Sequence, residues 1–141
     1  MKKLIFTISF LSISVGLAGQ NYFAGNNAGI LNTTGSKNVF VGISAGAKNN
    51  TGSANVFVGQ DAGFSNTSGK TNVFVGGGSG AFNTIGEQNV FLGAVSGNKN
   101  TEGTKNTFLG YYSGYFNTTG ARNSFLGTFA GNSNTTGVEN V

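Results

Sequence analysis

The sequence predicts an all-β protein, a parallel β-solenoid or β-roll of about seven 17-residue coils. Three observations predict this fold. From Asn21 onward the chain repeats every 17 residues, each repeat contains a short β-like segment such as Asn-Val-Phe-Val-Gly, and proline is absent from all 141 residues. A repeat this short cannot bury its apolar side chains alone, so successive copies must stack. Proline would remove backbone donors from such a stack. We therefore expect residues 20–141 to form one solenoid of seven repeats.

Residues 1–19 differ from the repeats and have the pattern of a cleaved secretory signal peptide. Two lysines near the start precede an apolar run over residues 4–15, and small residues surround the predicted cleavage near Ala18 or Gly19. The apolar run is shorter than the about 20 residues that span a bilayer as a helix. The alternative is an uncleaved N-terminal anchor. Removal of the two lysines lowers the positive net charge, so the basic composition gives no reason to expect a nucleic-acid partner.

Several positions of the 17-residue unit do not vary when the repeats are aligned on Asn21. Position 1 is always Asn, position 3 is Phe, positions 5, 9 and 15 are Gly, and position 12 is Asn. In a parallel stack each position becomes a column of identical side chains, in which Phe rings stack and Asn amides hydrogen-bond between coils. We predict structural ladders that include Asn38, Phe40, Gly42, Asn49, Gly52, Asn55, Phe57, Asn72, Phe74, Asn89 and Phe91. The alternative for the Asn columns is a ligand-binding comb, although turn asparagines usually bond to their own backbone.

Each coil is expected to contain two strands. Positions 1–5, branched and aromatic and closed by Gly, have the composition of a strand. Positions 12–15, Asn-Thr-Thr-Gly in the first repeat, predict a second short extended segment whose Gly supplies the positive φ of a tight turn. Coils stacked about 4.8 Å apart give a rod of roughly 34 Å.

Position 4 carries an aliphatic residue next to the Phe column. Side chains alternate across a strand, so Val39 and Val41 lie on the face opposite Phe40. If Phe fills the interior, a continuous apolar surface is left outside, and such a surface indicates an interface. We call it the aliphatic stripe; it consists of Val41, Val58, Val75, Leu92, Leu109 and Leu126. It predicts a homotrimer closed about the long axis, whereas the alternative is a single solenoid with the aliphatic face inward and Phe outward.

Two segments, "NVFVGISAGAKNNTGSANVFVG" and "NTFLGYYSGYFNTTGARNSFLG", resemble the head repeats of trimeric autotransporter adhesins. They are similar also to the Asn/Thr/Gly repeats of surface and tail-fibre proteins that end in an autocatalytic chaperone domain. The resemblance covers residues 21–141. It implies a left-handed β-roll intertwined as a homotrimer on a Gram-negative outer membrane surface, with adhesion to a surface receptor or matrix ligand as its activity.

The chain departs from that family in two respects. Phe replaces the small central residue of the strand, and the period of 17 is longer than the family's. No stalk, membrane anchor or chaperone domain follows, and the sequence stops two residues into an eighth repeat. We therefore expect the chain to be a fragment of a longer protein, with no membrane span in this segment.

The sequence does not predict an enzyme, a cofactor or a metal site. His and Cys are absent, which removes the usual imidazole base, thiol nucleophile and zinc ligands. Residues 76–80, Gly-Gly-Gly-Ser-Gly, lack the Lys of a phosphate loop. The four acids occupy four different positions of the repeat: Asp61, Glu87, Glu102 and Glu139. Two pairs share a position in successive coils and are expected to form exposed ion pairs: Lys70 with Glu87, and Arg122 with Glu139.

Adhesion would use the variable positions of the repeat. Five aromatic residues gather there in two adjacent coils and are the predicted surface contacts: Tyr111, Tyr112, Tyr115, Phe116 and Phe129. Alternatively, they pack between subunits or close the end of the rod.

Two other functions remain open on the sequence. Position 13 is Thr in six of seven repeats, at Thr33, Thr67, Thr84, Thr101, Thr118 and Thr135, and such a column could order water for ice binding. Against this, the neighbouring position is interrupted by Ile85 and Glu102, and Thr is a good strand residue in any case. A passive spacer in a fibre is the third possibility.

Overall fold

The protein is a stack of coils, each of which contributes one three-residue strand. In the computed structural model, which describes residues 19–141, the strands are β1 Tyr22–Ala24, β2 Val39–Val41, β3 Val56–Val58, β4 Val73–Val75, β5 Val90–Leu92, β6 Thr107–Leu109 and β7 Ser124–Leu126. They form one parallel sheet in chain order, and each strand pairs with the next in a register of 17 residues. The predicted all-β solenoid of 17-residue coils is confirmed, with six strand-to-strand steps. Apart from Gly19, the predicted signal peptide over residues 1–19 lies outside the described residues.

Phenylalanine fills the interior of the stack. The central rings have no exposed surface; they are Phe40, Phe57, Phe74, Phe91 and Phe108. Successive rings lie with centroids 4.8–5.1 Å apart and nearly parallel, at the spacing of the strands. Because side chains alternate across a strand, positions 2 and 4 then lie on the outer face. Of the two orientations that the sequence left open, Phe is inside and the aliphatic residues are outside.

Glycine at positions 9 and 15 is required by close approach. At Gly46 the backbone has a φ of +57°, and a Cβ would lie 2.6 Å from the ring of Phe40. At Gly52 a Cβ would lie 2.5 Å from the carbonyl oxygen of Gly69 in the next coil. The prediction that Gly at position 15 supplies a positive φ is wrong, because Gly52 does not have one. The left-handed residues, with φ of 57° to 60°, lie two positions later: Lys37, Ala54, Thr71, Gln88, Lys105, Arg122 and Glu139.

The second predicted strand of each coil does not form. Positions 12–15 are bends and irregular chain, as at residues 49–52. The N–H groups of Thr33, Thr34 and Gly35 all donate to one acceptor, the carbonyl oxygen of Asn50, at 3.0–3.2 Å. A strand ladder gives successive donors separate acceptors. Convergence on one carbonyl curves the backbone instead, so this segment is a corner of the coil.

Two asparagine ladders lie under that corner. Asn49 Nδ2 donates to Asn32 Oδ1 of the preceding coil at 2.7 Å and to the carbonyl oxygen of Gly52 at 3.0 Å. The same carbonyl accepts from Asn38 Nδ2 at 2.8 Å, while Asn38 Oδ1 accepts from the backbone N–H of Asn55. Every buried side-chain nitrogen and oxygen within residues 19–141 has a hydrogen-bond partner. The hydrogen-bonding groups of these amides are therefore satisfied within the stack, where they join one coil to the next.

Candidate functional site: an exposed aromatic face

The turn that follows each strand presents the variable side chains to solvent. Position 7 has a left-handed φ of 51° to 66° in every coil, as at Tyr112 and Phe129. The small residues at positions 8 and 9 then hold the turn against the Phe column. For example, Ser96 Oγ donates to the carbonyl oxygen of Phe108 in the next coil at 3.1 Å. Positions 6, 7, 10 and 11 are consequently free to vary, and they define one side of the solenoid.

The five aromatic residues predicted as surface contacts come together on this side. Tyr112 lies at the centre, with its ring centroid 4.6 Å from that of Tyr111, 4.6 Å from Tyr115 and 5.4 Å from Phe129. Phe116 packs edge-on against Tyr115 at 4.7 Å. Tyr111, Phe116 and Phe129 each remain about half exposed. We call this group the aromatic cluster, and its rings are held by one another rather than by a core.

The Tyr112 phenol at the centre of the aromatic cluster stays neutral at physiological pH. The pKa of the Tyr112 phenol is raised above its ordinary value, first by charge repulsion from Tyr111, then by desolvation and by repulsion from Tyr115. An ordinary tyrosine already titrates near about pH 10. Tyr112 therefore offers ring surface and a neutral hydroxyl group to a ligand.

Two phenylalanines and two lysines extend the cluster along the rod. Lys99 Nζ lies 4.1 Å from the ring centroid of Phe82 and 6.0 Å from that of Tyr115. Lys48 Nζ lies 4.9 Å from the ring centroid of Phe64. These cation–π contacts hold the two phenylalanine rings in place. We call the aromatic cluster together with these four residues the aromatic face.

This extension is not among the contacts predicted from the sequence, although the aligned repeats contain a signal for it. Positions 10 and 11 lie outside the strand, yet in each of the first six coils at least one of them is a large apolar residue, an aromatic residue or a lysine. The residues are Ile30, Leu31, Lys48, Phe64, Phe82, Lys99, Tyr115 and Phe116. Apolar side chains in a turn that already has a filled interior indicate a surface with a role in binding.

An open groove lies between Phe64 and Phe82 on the aromatic face. Its volume is about 460 Å³, and its polar lining includes Lys48, Asp61 and Asn98. The groove exists because position 7 is Gly78 in one coil, so the side chain found there in the neighbouring coils is missing.

The aliphatic stripe lies on the outer face of the sheet. Val41, Val58, Val75, Leu92 and Leu109 are half-buried, and Leu126 is 81% exposed. These side chains are less exposed than the sequence suggests, because stripe residues on adjacent strands cover part of each other's surface. The position-2 residues Val56, Val73 and Val90 are half-buried beside them. The outer face is therefore apolar over two adjacent columns in the central coils.

Charged groups do not converge into a centre. Arg122 Nε and Glu139 Oε1 form the predicted ion pair at 2.8 Å, on an exposed surface where such a pair stabilises little. The predicted Lys70–Glu87 pair is not formed in the described part of the chain. Across residues 19–141 no three carboxylates or other common ligand residues cluster as a metal site would require.

The position-13 threonines direct their hydroxyl groups along the stack. Thr67 Oγ1 donates to the carbonyl oxygen of Thr84, and Thr84 Oγ1 donates to that of Thr101, each at 3.0 Å. These hydroxyl hydrogens therefore already serve coil-to-coil contacts.

Comparison with known proteins adds no relative. No family model matches the chain, and no curated protein and no solved structure matches it either. None of the described segments is a helix with the length and apolarity to cross a bilayer. The resemblance to autotransporter head repeats stays a prediction.

Proposed function

We propose that the chain is an exported, non-enzymatic repeat segment of a bacterial surface adhesin or fibre that attaches to host or abiotic surfaces. The observation that carries this proposal is the aromatic cluster, in which Tyr111, Phe116 and Phe129 are half exposed yet packed ring against ring. Large exposed aromatic side chains are enriched at binding sites. Rings that are already held in place lose little conformational entropy when a partner binds.

The contrast between invariant and variable positions of the repeat supports the same proposal. Invariant Asn, Phe and Gly build the ladders, while the side chains of the aromatic face sit at variable positions. A stack of identical coils gives reach and stiffness, and any variable position can change without disturbing the interior. This arrangement suits a fibre that presents contacts along its side.

We also propose that three copies assemble through the aliphatic stripe. Parallel sheets are normally covered on both faces. Here the inner face packs on the Phe column, whereas the outer face, from Val41 to Leu126, has no covering segment among the described residues. Association about the long axis would cover the stripe in every copy at once.

Attachment can be measured with beads that carry residues 20–141. We expect beads with the native chain to be retained under flow on cultured host cells, on matrix-coated glass or on bare polystyrene. Combined substitution of Tyr111→Ala, Phe116→Ala and Phe129→Ala should lower retention at least tenfold, because it removes the half-exposed rings. The matched control is Ile85→Ala, which removes an equally exposed apolar side chain outside the aromatic face.

Equal retention of the triple variant and the native chain would contradict adhesion through the aromatic cluster. Absence of retention on every surface would favour the passive spacer. Thermal hysteresis and ice shaping by the native chain, lost on Thr84→Val and Thr101→Val, would favour ice binding instead.

A further inference from the structure

We infer that the groove between Phe64 and Phe82 binds an uncharged pyranose sugar of a surface glycan. This inference rests on the proposed adhesive function and names the ligand class that the aromatic face takes. It is carried by the shape of the groove, by its two rings and by the balance of its charges.

The shape of the groove suits a ligand the size of one or two sugar rings. Its volume of about 460 Å³ lies within the range of about 300–1,000 Å³ usual for small-molecule sites. Gly78 opens it, since the same position holds Asp61 in the preceding coil and Val95 in the following one. The groove follows from one glycine in an otherwise regular surface.

Two rings supply the apolar part of the site. A pyranose has a C–H face that packs against aromatic rings and a rim of hydroxyl groups that require hydrogen bonds. Phe82 is 48% exposed and is steadied by Lys99 at 4.1 Å, while Phe64 is steadied by Lys48 at 4.9 Å. Rings fixed on both sides of a groove, one exposed and one half-buried, fit the C–H face of a sugar better than they fit a fully polar ion.

The polar groups of the groove match hydroxyl groups rather than a charged ligand. Asp61 contributes a carboxylate acceptor, Lys48 an ammonium donor and Ser65 a hydroxyl group that can do both. The amide of Asn98 is anchored by a 2.8 Å hydrogen bond from its Nδ2 to the carbonyl oxygen of Gly78. Among the side chains that line the groove, the charges of Lys48 and Asp61 cancel, so an anionic sugar gains at Lys48 what it loses at Asp61. The Lys99 ammonium lies beside the groove and over the Phe82 ring. The lining itself therefore favours a ligand without net charge.

The groove is continuous with the aromatic cluster. Lys99 contacts Phe82 on one side and reaches 6.0 Å from the ring of Tyr115 on the other. An oligosaccharide seated in the groove can therefore extend along the aromatic face and over the rings of the aromatic cluster. The two sites together would hold a glycan chain rather than a single sugar.

A glycan array tests the inference directly. The probes are immobilised neutral hexose oligosaccharides, with uronate-containing and sulfated oligosaccharides beside them. We expect the native chain to bind neutral probes. Gly78→Asn should lower that binding at least tenfold by filling the groove, and Asn is suited to the left-handed backbone there, as Asn27 shows at the same position.

Two further variants and one control keep the result independent of folding. Phe82→Ala removes a ring of the groove, and Asp61→Asn removes the carboxylate while keeping the shape of the groove. Both variants should bind neutral probes more weakly than the native chain does. Asp61→Asn should also raise the binding of uronate probes. Ile85→Ala is the control and should bind as the native chain does. The melting midpoint of each variant shows whether the stack is intact.

The inference is overturned if no neutral probe binds, if only acidic probes bind, or if a folded Gly78→Asn chain binds as well as the native one. Periodate oxidation of the target surface separates this inference from adhesion itself. Full retention of the beads after oxidation of the surface sugars would contradict the sugar ligand but not adhesion. Sugar binding by a chain that is not retained on any surface would contradict adhesion and support the sugar ligand.

Discussion

The left-handed residue at position 17 of each repeat is a feature that side-chain identity does not reveal. Lys37, Ala54 and Thr71 share it at φ near 60°, although none of them is a residue type that favours this region. The invariant Asn, Phe and Gly columns were predictable because stacking demands identical side chains. Position 17 was not, since only its backbone is constant and its side chains point into solvent.

This backbone strain can be relieved by substitution. Thr71 is β-branched and exposed at a φ of +58°. Thr71→Asn should raise the free energy of unfolding by about 0.5–1 kcal/mol, because Asn visits the left-handed region at lower cost. Urea denaturation followed by circular dichroism measures the change. Thr51→Asn, at an exposed site without positive φ, is the control and should change the free energy little; an equal gain at both sites would contradict the backbone explanation.

At the scale of the element, the coil contains one strand and two corners rather than two strands. The composition of Asn-Thr-Thr-Gly suits a strand, but three N–H groups share the carbonyl oxygen of Asn50 and bend the chain. Propensity could not predict this, because the convergence depends on the neighbouring coil. What composition did predict is the buried amide column, whose spacing of 17 residues places each Asn over the next.

The amide ladder should be sensitive to a single substitution. Asn66 is fully buried; its Nδ2 donates to Asn49 Oδ1 at 2.7 Å, and its Oδ1 accepts from Asn83 Nδ2 at 2.8 Å. Asn66→Ala leaves Asn49 without its donor and should lower the free energy of unfolding by about 2–4 kcal/mol, measured by urea denaturation. Asn50→Ala, at an exposed site, should cost less than about 1 kcal/mol.

The acidic variant adds a pH dependence to the same test. In Asn66→Asp a buried carboxylate faces the oxygen of Asn49, so its folded pKa must lie above its unfolded value. Stability is then present below the unfolded pKa of about 4 and is lost as pH rises through the folded pKa. Equal stability of this variant at pH 3 and pH 7 would contradict the ladder.

At the scale of the whole molecule, the sequence predicted the stack and part of its candidate site. The aromatic cluster was predictable because its residues are close in sequence, at 111–116, or one coil apart at Phe129. The groove was not, because it depends on a missing side chain at Gly78 and on rings from separate coils, Phe64 and Phe82. The number of copies in the assembly was not predictable from the repeat pattern either, because it depends on contacts between chains.

Assembly through the aliphatic stripe can be tested by introducing negative charges into the stripe. Combined substitution of Val58→Asp, Val75→Asp and Leu92→Asp should convert the proposed trimer to a folded monomer, since three carboxylates per chain would meet at the shared interface. Light scattering measures the mass, and circular dichroism reports whether the solenoid persists. An unchanged mass with retained folding would reject the trimer. Lys70→Asp, Thr71→Asp and Lys105→Asp, all at exposed sites, form the control.

The single 17-residue register has a mechanical consequence. A chain pulled from its two ends would unwind one coil at a time, because within residues 19–141 each strand pairs only with the strands of the neighbouring coils. Each release replaces a rise of about 4.8 Å by an extended span of roughly 56–61 Å. In the adhesin that we propose, load on an attached cell would then be absorbed in equal steps of lengthening before the contact itself was strained.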